Sequence, residues 1–187
     1  IGTGAGNGPL VELRDGSVKY DLITGIGVNF WGHANLEFFE AQFDGLWGDV
    51  MQGNLAPLSD YGELMNDLLA TVGSKSSLKH VWLTSCGATA NENALKIIRQ
   101  KKAPATRIFA FKDCFAGRTT ALQEITDIPK YREGQPVYGE VFFLPFFDSK
   151  STASAGAQAA NVVSLIKSEM SRYPGKFAAL EFEIVQG

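Results

Sequence analysis

The stretch Leu83-Thr84-Ser85-Cys86-Gly87-Ala88-Thr89-Ala90-Asn91-Glu92 joins an apolar run to a helical pattern through a turn of small residues. A helix that starts there aims its first backbone N–H groups, which lack intrahelical partners, at one spot. Its dipole favours negative charge at that spot. Gly87 and Ala88 leave the backbone open to close approach. A turn of this kind can cradle a phosphate with few cationic side chains. An ordinary strand-to-helix turn satisfies the same spacing, and the residues alone leave both readings open. The common nucleotide loops do not fit. No G-x-x-x-x-G-K-[ST] occurs, and Gly2, Gly4, Gly6 and Gly8 do not make G-x-G-x-x-G.

The elements that must position this turn follow from periodicity. Ile1 to Pro9 is glycine-rich and reads as a loop. Leu10–Leu13 and Val18–Tyr20 flank Asp15-Gly16, a pairing that predicts a hairpin with a type I′ turn. Leu36, Phe38, Phe39, Phe43, Leu46, Trp47 and Val50 recur at helical spacing. A second helical pattern runs from Asp60, with Glu63 completing a capping box and Gly73 as the stop. Beyond Gly73 the texture changes. Strands are expected at Val81–Leu83, Arg107–Phe111, Val141–Leu144 and Phe177–Phe182. Helices are expected at Glu92–Lys101, Thr119–Ile125 and Ala157–Met170. Short apolar strands alternating with helices imply a buried, largely parallel sheet, hence an α/β domain. The expected division is a small lobe or arm over residues 1–60 and the α/β part over residues 61–187.

Composition narrows the function classes. The chain of 187 residues is 45% hydrophobic and 20% charged, with a net charge of −3, as in an ordinary soluble globular protein. No basic stripe marks a nucleic-acid surface. Lys101-Lys102 follows a helical pattern and reads as a solvated helix end. The run Val141 to Phe147 is broken by Pro145 and is far short of the roughly 20 residues that a spanning helix needs. No charged leader precedes an apolar stretch, although a chain beginning at Ile1 leaves room for a removed N-terminal piece. Cys86 and Cys114 have no metal-ligand spacing and no disulfide framework, so a reducing cytoplasm is the expected compartment.

Four segments, in order, resemble the class III aminotransferases of the ornithine, acetylornithine and 4-aminobutyrate type. Cys86-Gly87-Ala88-Thr89-Ala90-Asn91-Glu92-Asn93-Ala94-Leu95-Lys96 is similar to their S-G-x-E-A-N-E-x-A-L-K. Ala110 to Thr119 is similar to A-F-x-x-x-[FY]-H-G-R-T. Asp21 to His33 resembles D-x-x-x-G-I-x-V-N-x-x-G-H, and Glu183 to Gly187 resembles the start of E-P-V-Q-G-E-G-G. Together they cover nearly the whole chain.

The resemblance implies a fold-type I transferase dependent on pyridoxal 5′-phosphate (PLP). Residues 1–60 would form the small-lobe segment, and residues 61–187 the first part of the large PLP-binding domain, truncated. It implies transamination from an ornithine-like or ω-amino donor to a 2-oxo acid such as 2-oxoglutarate, in a homodimer with active sites at the interface. Cys86, Gly87 and Ala88 match the positions that hold the cofactor phosphate, and Phe115 matches the ring that stacks on the pyridine. Alone, Phe115 would read as core. Arg118 matches the arginine that grips a substrate carboxylate, a task suited to its planar fork. A surface arginine paired to an acid is the other reading. Ile26 matches a pocket position that varies with substrate, and Glu183 matches a glutamate that orients Arg118. His33 reads as structural. The chain departs from the pattern at Cys86 for serine, Thr89 for glutamate, Ala116 for histidine and Ile184 for proline, which bears on the substrate more than on the family. The family's Schiff-base lysine and its pyridine-pairing aspartate lie beyond the matched segments. None of the eleven lysines sits in a comparable context, so the chain alone is expected to be inactive. The competing readings are a mutase or decarboxylase of the same fold and a non-catalytic half-domain binding a phosphate ligand or a partner. A nucleotide-binding α/β module is disfavoured by the missing glycine motifs.

Overall fold

The structure, a computed structural model, describes residues 2–47 and 59–186. Val50 of the first helical pattern and Gly187 of the fourth segment lie outside the described residues. The chain separates into two compact units, Ile1–Lys79 and His80–Gly187.

In the first unit β1 (Gly2–Asn7), β2 (Leu10–Leu13) and β3 (Val18–Tyr20) form an antiparallel sheet in the order β1-β2-β3. The glycine-rich start is therefore a strand, not a loop. Absent side chains permit its approach: a Cβ on Gly6 would meet Leu10 O at 2.7 Å and His33 Cβ at 2.8 Å. The β2–β3 turn is not type I′. Gly16 N–H donates to Leu13 O (2.9 Å) and Leu13 N–H to Ser17 O (2.8 Å), enclosing a three-residue loop in which only Gly16 is left-handed (φ 81°). Asp15 serves instead as a local acceptor, taking the Ser17 N–H and hydroxyl at 2.9 and 2.7 Å. A short turn, α1 (Thr24–Gly27), precedes α2 (Leu36–Leu46), where Asn35 Oδ1 accepts from Phe38 N–H at 3.0 Å as the N-cap. Helix α3 (Ser59–Val72) begins one residue before Asp60, which places that aspartate in the first turn rather than at the cap. Gly73 closes α3 by donating to Leu69 O at 2.8 Å, and a Cβ there would fall 2.5 Å from that oxygen.

The second unit runs α4 (Gly87–Lys102), β4 (Arg107–Phe111), α5 (Leu122–Ile125), α6 (Pro129–Arg132), β5 (Val141–Leu144), α7 (Ala155–Arg172) and β6 (Phe177–Leu180). Its sheet is wholly parallel, in the order β5-β4-β6. The central strand carries buried Ile108, Phe109 and Ala110. Ile108 and Ala110 cluster with Leu95 of α4 and with Cys114, Ala116, Leu122 and Ile125. Full burial of a side chain such as Leu122 stabilises by about 1.5–3 kcal/mol. Three expectations change. Val81–Leu83 is not a strand, because no strand among the described residues pairs with it, and Trp82 is exposed. Helix α4 starts at Gly87, a full turn before Glu92, because Cys86 caps it. Only Leu122–Ile125 of the expected 119–125 helix forms. The Thr119 side chain is instead engaged by Glu92 of α4.

Candidate functional site

Helix α4 opens with a reciprocal cap. Cys86 N–H donates to Thr89 Oγ1 (3.2 Å) while the Cys86 sulfur faces the Thr89 backbone N–H. Thr89, three residues after the cap, thus closes a capping box with a hydroxyl. The Thr89 N–H, followed by the Thr89 hydroxyl, holds the exposed Cys86 thiol below the ordinary thiol pKa. Gly87 and Ala88 are the first two helical residues, whose N–H groups lack intrahelical partners. A Cβ on Gly87 would meet nothing within 4 Å, so its surface is open.

Against this helix start lies the loop after β4. Gly117 packs so closely on Ala88 that a Cβ would fall 3.0 Å from Ala88 Cβ, and its φ of 144° is one that other residues rarely adopt. Asn91 donates to Ala116 O at 2.8 Å, and the Thr119 hydroxyl donates to Glu92. From beneath, the fully buried Thr126 hydroxyl accepts the Ala116 and Gly117 N–H groups (3.0 and 3.1 Å) and donates to Gly117 O (2.7 Å). The loop is thereby fixed at both carbonyls and both amides. Motif reading did not find Thr126, since nothing in its local sequence marks a hydroxyl that binds a loop nine residues earlier.

Phe115 sits in this loop 45% exposed, its ring in a T-shaped arrangement with that of Tyr131 at 5.9 Å. It is not the core residue that its type alone would suggest. Arg118 is exposed, and its guanidinium lies 5.7 Å from the Tyr131 ring centroid. Glu183 does not pair with it among the described residues. Its carboxylate accepts the Phe115 N–H at 3.3 Å. A cleft of about 120 Å³ is lined by Asn91, Phe115, Glu181 and Glu183, with Cys114 and Ile125 behind them. Burial, then the neighbouring Glu183, pushes the Glu181 carboxyl up. Burial pushes the Cys114 thiol up as well. The structure therefore gathers Cys86, Gly87, Ala88, Phe115, Arg118 and Glu183 within the second unit.

Ile26 belongs to the first unit. It is 88% exposed and sits at φ 64°, in the turn α1. Asp21, Thr24, Asn29 and His33 line a hollow of about 260 Å³ in the same unit, and Ile26 is not among its lining residues.

The start of α4, its first N–H groups open, thus packs against a pinned loop that carries the half-exposed Phe115, on a parallel α/β sheet. A family model for class-III aminotransferases matches residues 3–187, and the chain belongs to that family. Acetylornithine aminotransferase of Bacillus amyloliquefaciens is 28% identical over 186 residues, spanning 96% of this chain and 70% of the relative. A [LysW]-aminoadipate semialdehyde/glutamate semialdehyde transaminase of Sulfolobus acidocaldarius is 32% identical over 154 residues, 80% of this chain and 38% of that protein. Among solved structures, taurine:2-oxoglutarate aminotransferase of Bifidobacterium kashiwanohense, in complex with PLP and glutamate, superposes with a TM-score of 0.83 at 17% identity. The match covers 98% of this chain and 42% of that one. An (S)-enantioselective omega-transaminase of Thermomicrobium roseum gives 0.83 at 23% identity, over 98% and 43% of the two chains. The fold is fold type I, and PLP is the cofactor of the class. The chain spans about two fifths of most of these proteins.

Proposed function

We propose that the whole protein to which this chain belongs transfers an amino group from an ornithine-like or ω-amino donor to a 2-oxo acid such as 2-oxoglutarate. It acts as a homodimer in the cytoplasm, and among the described residues no helix is long and apolar enough to cross a membrane. The single observation that carries this reading is the packing of the Cys114–Thr119 loop on the start of α4, with Gly117 against Ala88. It supports the reading because the loop that carries Phe115 is seated against a helix start whose first N–H groups lack intrahelical partners.

The residues fit PLP. The open surface at Gly87 and the N–H groups of Gly87 and Ala88 would receive the phosphate, with Cys86 beside them. The exposed Phe115 ring offers a flat face that excludes water from one side of an aromatic cofactor. Bound PLP supplies the electron sink that amino transfer requires. Glu183 fixes the loop through the Phe115 N–H, and Arg118 offers its fork to a substrate carboxylate. Residues 1–187 alone should hold phosphate without transaminating, since none of the eleven lysines stands in the family's Schiff-base context.

Arg118→Lys in the whole protein tests the reading. Lysine keeps the charge and loses the fork, so kcat/KM should fall by roughly one to three decades. Arg118 is exposed and makes one long contact with Tyr131, so Tm should stay within about 2 °C. Normal kinetics with a lowered Tm would end the carboxylate assignment.

A further inference from the structure

The loop seated on α4 is fixed through its backbone, but the side chains of Phe115 and Arg118 are not. Glu183 takes the Phe115 N–H at 3.3 Å, and Thr126 holds the amides of Ala116 and Gly117. None of these bonds sets a torsion within either side chain. Phe115 is half-exposed, and the exposed Arg118 makes no ion pair among the described residues. A long, flexible arginine loses much rotamer freedom when it grips a ligand, unless a neighbour has already limited it.

One ring meets both side chains. Tyr131 of α6 lies T-shaped to Phe115, with centroids 5.9 Å apart and planes at 72°. The Arg118 guanidinium carbon stands over the same Tyr131 ring at 5.7 Å. A T-shaped pair sets the mutual orientation of two rings, and a cation is attracted to an aromatic face within about 6 Å. Tyr131 is itself carried by a tied segment. Its N–H donates to Ile128 O at 2.9 Å. The next residue, Arg132, pairs with Asp127 at 2.7 Å, and its guanidinium lies 5.6 Å from the Phe143 ring of β5. The other oxygen of Asp127 accepts the Asp113 N–H at 3.0 Å, and the Asp127 N–H donates to Cys114 O at 2.9 Å. Asp113 and Cys114 directly precede Phe115. Asp127 therefore ties the segment that carries Tyr131 to the base of the loop, and α6, with no buried residue, depends on such contacts for its place.

We propose that Tyr131 is a positioning residue for amino transfer. Its ring orients the Phe115 ring and limits the swing of Arg118, so that both side chains are set before cofactor and substrate arrive. The aromatic face carries this effect, not the hydroxyl. Its consequence for binding rests on the roles proposed above for Phe115 and Arg118, whereas the contact among the three side chains does not.

The test uses the whole protein with Tyr131→Leu and Tyr131→Phe, beside Arg118→Lys. Leucine keeps apolar bulk and removes the ring, whereas phenylalanine keeps the ring and removes only the hydroxyl. Tyr131→Leu should raise the PLP dissociation constant, from equilibrium dialysis of the apoprotein, roughly three- to tenfold, and KM for 2-oxoglutarate by a similar factor. Its kcat should stay within about twofold and its Tm within about 2 °C. Tyr131→Phe should remain within about twofold of the parent on both binding measures. NMR of the apoprotein reads the contact separately. The Arg118 Nε–H resonance, assigned by its loss in Arg118→Lys, should carry a ring-current shift in the parent and in Tyr131→Phe, and lose it in Tyr131→Leu. An unmoved Arg118 resonance in Tyr131→Leu overturns the contact and the positioning role with it. A moved resonance with unchanged PLP and 2-oxoglutarate values overturns the positioning role, as does a Tyr131→Phe variant as impaired as Tyr131→Leu, or losses that track a lowered Tm. Normal kinetics in Arg118→Lys would end the carboxylate reading and the Arg118 half of the role, and PLP dialysis would still decide the Phe115 half.

Discussion

The two cysteines show how far position alone can separate chemically identical side chains. Cys86 is exposed at the start of α4, where the Thr89 N–H stabilises a thiolate and lowers the pKa. Cys114 is buried, donates to Ile125 O at 3.0 Å, and is pushed up by burial. Thiolate fraction and access both govern reactivity, so they act in the same direction here. Iodoacetamide should modify Cys86 first, with a rate that rises through a midpoint below that of a free thiol. Cys114 should stay unmodified until the unit unfolds. Peptide mass spectrometry across a pH series reads both rates. Inorganic phosphate or PLP should slow the Cys86 reaction, because an anion seated on Gly87 and Ala88 shields the thiol and disfavours its charged form. Equal labelling of the two cysteines in the folded chain would contradict this account of the helix start.

At the scale of elements, the loop after β4 is shaped by Gly117 and Thr126 and not by the residues that carry chemistry. Gly117→Ala would place a Cβ 2.7 Å from Leu122 Cδ1 and 3.0 Å from Ala88 Cβ, at φ 144°. Leu122 is fully buried and has little room to yield, so the expected destabilisation is about 2–4 kcal/mol. Thr126→Val keeps the shape but strands two buried amides and a carbonyl, at a cost of about 2–4 kcal/mol. Urea denaturation of either variant measures these losses, and a shift under 0.5 kcal/mol in both (about the size of an ordinary surface change) would show that the loop is not so held. The same region marks the limit of what the sequence made legible. β4 and β5 were readable to the residue, since a buried parallel strand is an uninterrupted apolar run. α7 was readable to within two residues at each end, and the site segments by their resemblance. Val81–Leu83 has the same apolar texture as β4 but is no strand, because pairing depends on a partner that local pattern does not encode. β1 escaped notice for the converse reason. Its pairing with β2 and its seat for His33 depend on missing side chains, which a propensity reading takes as a loop signal. Thr126 and the Asp21–His33 hydrogen bond join residues nine to twelve positions apart through one hydroxyl and one carboxylate. Periodicity carries no trace of such links.

At the scale of the molecule, residues 1–187 expose more apolar surface than a self-sufficient chain is expected to show. In the first unit, α2 presents Leu36, Phe43, Leu46 and the adjoining Trp47 at 65–91% exposure, all from a helix with no buried residue. In the second unit, Phe147, Phe182, Ile184 and Val185 are exposed, and no described strand pairs with the outer edges of β5 and β6. Large contiguous apolar patches mark interaction surfaces, and open parallel edges invite further pairing. Expressed alone, residues 1–187 should therefore bind a hydrophobic dye such as ANS and self-associate at micromolar concentration. The whole protein should bind less dye and form no species larger than the dimer proposed for it. Sedimentation velocity over a concentration series, with dye fluorescence on the same samples, measures both. The origin of the association can be separated as well. The net charge is only −3, so sodium chloride should change the association constant little. Sodium sulfate, which is excluded from protein surface, should strengthen it. A monomeric boundary without dye binding would mean that the exposed faces are covered in solution, and association abolished by modest salt would assign it to charge instead.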